Sequence, residues 1–107
     1  MDTRSKIITL AEAAGRDIDT LVVGYFDPVL AAHVARLKQL GTAVTVSIID
    51  PPEEILPARA RAELVAALSC VSQVILGDAR PQAQQVIDMT EADLDSRRQL
   101  IERIRQR

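Results

Sequence analysis

Runs rich in β-branched residues alternate along this chain with segments of helical spacing, and that alternation limits the fold more than any other feature. Thr20 to Phe26 carries Leu21, Val22 and Val23 without a polar break, which suits a strand covered on both faces. Gly24 frees the chain to turn, Pro28 opens a helix with Leu30, Val34 and Leu37 at helical spacing, and Gly41 ends it. Ala43 to Ile49 reads as a second strand, closed near Asp50 by Pro51-Pro52. Pro57 opens a further helix striped by Ala60, Leu64, Ala67 and Leu68, and Val71 to Leu76 is a third strand stopped by Gly77-Asp78. Strands separated by helices need crossovers rather than hairpins, so the pattern predicts an α/β fold with a mostly parallel sheet and helices on its faces.

The two ends are read from caps. Thr9-x-x-Glu12 has capping-box spacing and predicts a short helix over about residues 10 to 15, with Gly15 as its stop. Gln82 to Met89 reads as a short helix or as a fourth strand around Gln85 to Asp88, and the strand is preferred. Thr90-x-x-Asp93 has the spacing of a second capping box and introduces a helix to about Gln106, with Leu94, Ile101 and Ile104 along one side and Arg97 and Arg98 breaking the stripe. There is no internal repeat and no low-complexity linker. A chain of 107 residues, 48% of them hydrophobic, supports one core but not two, so residues 1–107 are expected to form a single domain.

Several classes of function are disfavoured. The longest apolar runs fall far short of the ~20 residues of a membrane span. The charged stretch Met1 to Lys6 leads into Thr9-Leu10-Ala11-Glu12 rather than an apolar signal core, so a cytoplasmic setting is expected. Cys70 is the only cysteine, which rules out an internal disulfide and a zinc site of paired cysteines and makes core filling its expected role. A net charge of −2 gives no overall pull toward nucleic acid. Both lysines, Lys6 and Lys38, precede the second strand.

The segment Gly24-Tyr25-Phe26-Asp27-Pro28-Val29-Leu30-Ala31-Ala32-His33 resembles the first strand-to-helix turn of the cytidylyltransferase-like nucleotidyltransferases, where the pattern runs Gly-x-Phe-Asp-x-x-His-x-Gly-His. Gly24, Phe26, Asp27 and His33 match, while Leu30 stands for the first histidine and Ala32 for the glycine. Leu56 to Val71 is similar to the arginine-bearing helix of ADP-heptose synthase adenylyltransferase domains, with Arg61 on that arginine. Lys6-Ile7-Ile8-Thr9-Leu10 and Ile101-Glu102-Arg103-Ile104 resemble the lead-in and closing helix of the same domains. The resemblance implies a three-layer Rossmann-like fold with a short sheet of about four strands. The departures are as informative. Asp50 to Ile55 runs almost directly into the arginine helix, without the family's lysine-bearing loop, and one strand before the last helix is missing. Thr90-Glu91-Ala92-Asp93 replaces a Ser/Thr-rich turn, so two carboxylates stand at a helix N-terminus that otherwise favours phosphate.

In the resembled reaction a substrate phosphate attacks the α-phosphate of a nucleoside triphosphate and releases pyrophosphate, usually with magnesium, and catalysis is mostly positioning and charge stabilisation. Losing one well-placed donor costs about a hundred- to a thousandfold in rate. With several altered, the resemblance implies a degenerate nucleotidyltransferase-like domain with weak nucleotide or phosphate binding and no efficient catalysis. One alternative is an active enzyme joining a nucleotide to a sugar phosphate, with the missing groups supplied by another chain. The other is a structural or interaction protein without a ligand.

The resemblance places Gly24, Tyr25, Phe26, Asp27, His33 and Arg61 at the nucleotide or phosphate site, with His33 the one catalytic candidate and no protein metal site; magnesium enters only with a triphosphate. Each residue also has an ordinary role. His33 holds a phosphate or merely caps or faces solvent; Asp27 holds a magnesium triphosphate or caps the helix at Pro28. Strand alternation sets Tyr25 and Phe26 on opposite faces, leaving Phe26 for the core and Tyr25 for base stacking. Arg61 is the anion donor and Arg59 a solvated neighbour; Asp78 is a ligand at a strand's carboxyl edge or a plain turn; Arg97 and Arg98 are solvated or pair with a partner's acids. Leu94, Ile101 and Ile104, or an open sheet edge, need cover, so a homodimer is expected, with no nucleic acid and no membrane as partner.

Overall fold

The computed structural model describes residues 3–77 and 81–105, with Ser96 described by its backbone alone. A 3₁₀ turn (Thr3–Lys6) leads into β1 (Ile7–Ile8), α1 (Leu10–Ala13), β2 (Thr20–Gly24), α2 (Ala31–Gln39), β3 (Val44–Ile48), α3 (Ala58–Ala66), β4 (Val71–Leu76), β5 (Gln85–Asp88) and α4 (Thr90–Arg105). The strands form one five-stranded sheet in the order β1-β4-β3-β2-β5, and every pairing is parallel. The fold is α/β, with three layers of Rossmann-like character, as the alternating pattern requires.

The register explains why the strands read as continuous apolar runs. Ile87, Val22, Val46, Val74 and Ile7 stand side by side across the sheet. That row meets Leu37 of α2 and Ala62, Val65 and Ala66 of α3, with Cys70 filling the same core. The neighbouring row Val23–Ser47–Ile75–Ile8 belongs to the other face, where Leu21, Val23, Ile75 and Ile8 pack with Ala13 of α1, Ile18 and Ala83. In β2 and β3 both faces are covered, so neither strand shows the polar alternation of a half-solvated one. Buried polar groups on this second side are paired: Gln73 Nε2 donates to Thr45 Oγ1 at 2.9 Å, and Arg16 Nη1 donates to Gln73 Oε1 at 3.0 Å.

The sheet has one strand more than the sequence predicts. The addition is β1, whose two residues lie in the lead-in to α1 and are too short to show any periodicity. The capping box at Thr9 forms as expected, with Thr9 Oγ1 accepting from Glu12 N–H at 3.2 Å and Glu12 Oε1 accepting from Thr9 N–H at 3.3 Å. The strand expected to reach Phe26 stops at Gly24, and the helix expected from Pro28 begins at Ala31, because residues 25–30 form a turn. Asp78 lies outside the described residues. Among the described residues no helix is long and apolar enough to cross a membrane.

From β2 the chain steps to β3 and then β4, whereas β5 lies on the opposite side of β2. The order therefore reverses between β2 and β5. In open parallel sheets the crevice outside the carboxyl ends of the strands at such a reversal is where ligands bind. The turn after β2 and the start of α4, which follows β5, both belong to that edge.

Candidate functional site

The site begins with the turn after Gly24. A Cβ on Gly24 would stand 2.7 Å from Asp93 Oδ2 and 2.7 Å from Phe26 Cε2, so only glycine fits. Phe26 follows with φ 50°, a left-handed conformation rarely adopted by a bulky residue, and its side chain is fully buried. The consequence is geometric. The N–H groups of Tyr25 and Phe26 aim at one point and donate to Asp93 Oδ2 at 2.7 and 3.3 Å, forming a small anion-binding concavity of backbone.

His33 supplies the third donor. It is the third residue of α2, and its Nδ1 accepts from the Leu30 N–H at 2.9 Å, the histidine half of a capping box. Because Nδ1 accepts, Nε2 carries the proton, and Nε2–H donates to Asp93 Oδ1. The Phe26 ring lies 5.0 Å from the imidazole at a tilt of 56° and holds its orientation from the side.

Asp93 is 4% exposed, and its carboxylate takes all three donors. The sequence spacing predicts that Asp93 belongs to a capping box with Thr90. Instead Asp88 takes that position: its Oδ1 accepts from Thr90 N–H at 2.9 Å and Thr90 Oγ1–H at 2.7 Å, and Asp93 is released to cross to the turn after β2. The resemblance implies a phosphate at this turn; here the chain's own carboxylate stands there.

No family model matches the sequence, and no curated protein and no solved structure matches it either.

Asp27 and Arg61 are fixed by the loop between β3 and α3. Asp27 is 3% exposed and does not cap α2; its Oδ2 and Oδ1 accept from the Ile55 and Leu56 N–H groups, each at 2.7 Å. Arg61 is fully buried and uses its whole guanidinium fork internally. Nε donates to Leu56 O at 3.0 Å, Nη1 to Tyr25 O at 2.8 Å and Ile49 O at 3.0 Å, and Nη2 to Asp50 Oδ1 and Glu54 Oε1 at 3.0 Å each. Arg59, by contrast, is exposed and pairs with Glu63 across one turn at 3.4 Å. Arg61 thus fastens three carbonyls and two carboxylates around the turn, which shapes the site without presenting a donor to it. The Tyr25 side chain is half-buried at the same turn.

Gly24, Tyr25, Phe26, Asp27, His33 and Arg61 are therefore brought together, with Asp93 at their centre. A cleft of about 370 Å³ opens beside the His33–Asp93 pair, with Ala32, Arg36, Ile87, Met89 and Ala92 in its walls. A larger cleft of about 570 Å³ lies at the amino ends of β2 and β5, lined by Arg16, Asp17, Ile18 and residues 82–84, away from the carboxyl edge. Magnesium, which accompanies the triphosphate in the resembled reaction, takes oxygen ligands in a near-octahedral shell. The residues here do not fit it: both Asp27 oxygens and both Asp93 oxygens already accept protons, and among the described residues no group of three or more His, Cys, Asp or Glu stands together. The sequence signal for Asp93 was its place at the start of the last helix; Tyr25, Phe26 and His33 stood out in the turn motif, but nothing in the sequence pairs them with Asp93.

Proposed function

We propose that the chain is a degenerate nucleotidyltransferase-like domain without efficient catalysis, in which Asp93 takes the place of a substrate phosphate. The supporting observation is the convergence of the Tyr25 N–H, Phe26 N–H and His33 Nε2–H on that one carboxylate at the carboxyl edge of β2 and β5. An acceptor tethered in the same chain competes at an effective concentration of about millimolar or more. An outside phosphate must displace it, so nucleotide binding by the intact chain is weak. Catalysis suffers more, because charge spreading in phosphoryl transfer needs donors held ready. The cradle's donors and Arg61 are already engaged, and the sequence has no lysine beyond Lys38. The role left to the domain is structural or interactive, and a cytoplasmic setting fits its single, buried Cys70.

Calorimetric titration with pyrophosphate and with ATP tests this reading. The wild type is expected to show no saturable binding below about 1 mM, and Asp93→Ala, which frees three donors, to bind pyrophosphate at least about tenfold more tightly. Asp93→Ser serves if the alanine variant does not fold. Tight ATP binding by the wild type with pyrophosphate release would overturn the proposal, as would a folded variant with no gain.

A further inference from the structure

The last helix is larger than the surface that seats it. α4 has 16 residues, about 24 Å at 1.5 Å per residue, yet its main contact with the body is β2. The seat lies in its first turns: Asp93 is buried, whereas Ile104 is 64% exposed and Arg103 and Arg105 are exposed beside it. The molecule is correspondingly long, 47 × 28 × 25 Å. Leu94 and Ile101, one heptad apart and half-buried, line a shallow groove along α4 together with Arg98, Glu102 and Arg105.

Charge along this face is sorted by end. Glu91, Arg98 and Arg105 fall at heptad spacing on one flank of the groove, acid at the start and base at the finish. We infer that α4 pairs with α4 of a second copy of this chain, antiparallel about a two-fold axis near Arg98. Antiparallel pairing sets like flanks against each other in reversed order. Leu94 then meets the partner's Ile101, and Glu91 meets the partner's Arg105, each contact made twice. The two Arg98 side chains that approach at the axis are balanced by Asp95, 3.7 Å away within each copy, and by the partner's Glu102 one turn along. A parallel pair would set each flank against the partner's opposite flank and leave Glu91 without the partner's Arg105. One helix face is small beside the roughly 800 Å² per partner of a stable complex, so the dimer is weak, half-formed at about tens of micromolar. The pairing uses the free face of α4 and does not depend on the cradle around Asp93.

Sedimentation equilibrium on the full chain from about 5 to 500 μM tests it, over a range that brackets the expected midpoint. A monomer–dimer equilibrium is expected, weakened at least about tenfold by Ile101→Glu with an unchanged urea midpoint. Arg105→Glu is expected to weaken it several-fold, and adding Glu91→Arg to the same chain to restore it. Val86→Lys, on the exposed edge strand β5, is expected to leave it unchanged. A strict monomer throughout the range, a dimer lost with Val86→Lys but kept with Ile101→Glu, or a charge swap that fails to restore association would each overturn the inference.

Discussion

Exchanging Asp93 for Asn keeps the size of the side chain and turns one of its two acceptors into a donor. If the amide oxygen stays on the Tyr25 and Phe26 N–H groups, the new NH₂ faces His33 Nε2–H, donor against donor. Changing the imidazole tautomer relieves that clash but brings an Nδ1 proton against the Leu30 N–H. Turning the amide over sets NH₂ against the two backbone N–H groups. Every arrangement opposes at least one pair of buried donors. An unsatisfied buried donor costs about 1–3 kcal/mol, and the hydrogen bonds that remain lose about half their strength when the carboxylate becomes neutral. Together these give a loss of about 3 kcal/mol. In a domain of this size about 1 kcal/mol moves Tm by 4–8 °C, so the variant should melt roughly 12–24 °C lower. Urea and thermal unfolding followed by circular dichroism measure both quantities. A loss below about 1 kcal/mol would refute the convergence of three donors on Asp93.

The other expectations concern the same turn. Gly24→Ala should cost about 2–3 kcal/mol by denaturant unfolding, because the new methyl overlaps Asp93 Oδ2 and the Phe26 ring. It should cost measurably less in an Asp93→Ala background, where one overlap is gone. Arg61→Lys, which replaces a buried five-donor fork by a point charge, should lose about 3 kcal/mol or more, against about 0.5 kcal/mol or less for exposed Arg59→Ala. Leu30→His with Ala32→Gly completes the signature of the nucleotidyltransferases that the turn resembles but leaves Asp93 in the cradle, so a pyrophosphate assay should show no turnover and ATP affinity should stay within about threefold.

Much of the fold is legible in the sequence because period and punctuation agree. The apolar stretch at Leu21–Val23, the β-branched run of β3 and the Thr9–Glu12 box all read correctly, and the weak segment at Gln85–Asp88 is a strand. β1 was invisible because two isoleucines make no pattern. The turn was harder. Tyr25 and Phe26 have high strand propensity, and nothing in their identity announces that Phe26 takes a left-handed backbone. Asp27 stands where a helix cap belongs, yet its carboxylate serves Ile55 and Leu56, a pairing that only the folded loop creates. Arg61 was recognisable as a special arginine, but its full engagement with Leu56, Tyr25, Ile49, Asp50 and Glu54 depends on three segments meeting. The carboxylates at the start of α4 signalled repulsion of phosphate. That one of them crosses to the β2 turn follows from the reversal of strand order between β2 and β5.

His33 is the only histidine in the sequence, so a long-range nitrogen–proton correlation on nitrogen-15-labelled protein reads its tautomer directly. The expected spectrum of the wild type shows a single tautomer, Nε2 protonated and Nδ1 bare, with an Nε2 proton slow to exchange with water. In Asp93→Ala that proton should exchange rapidly. An Nδ1-protonated ring, or a fast-exchanging mixture of tautomers in the wild type, would contradict the closure of the cradle by Asp93.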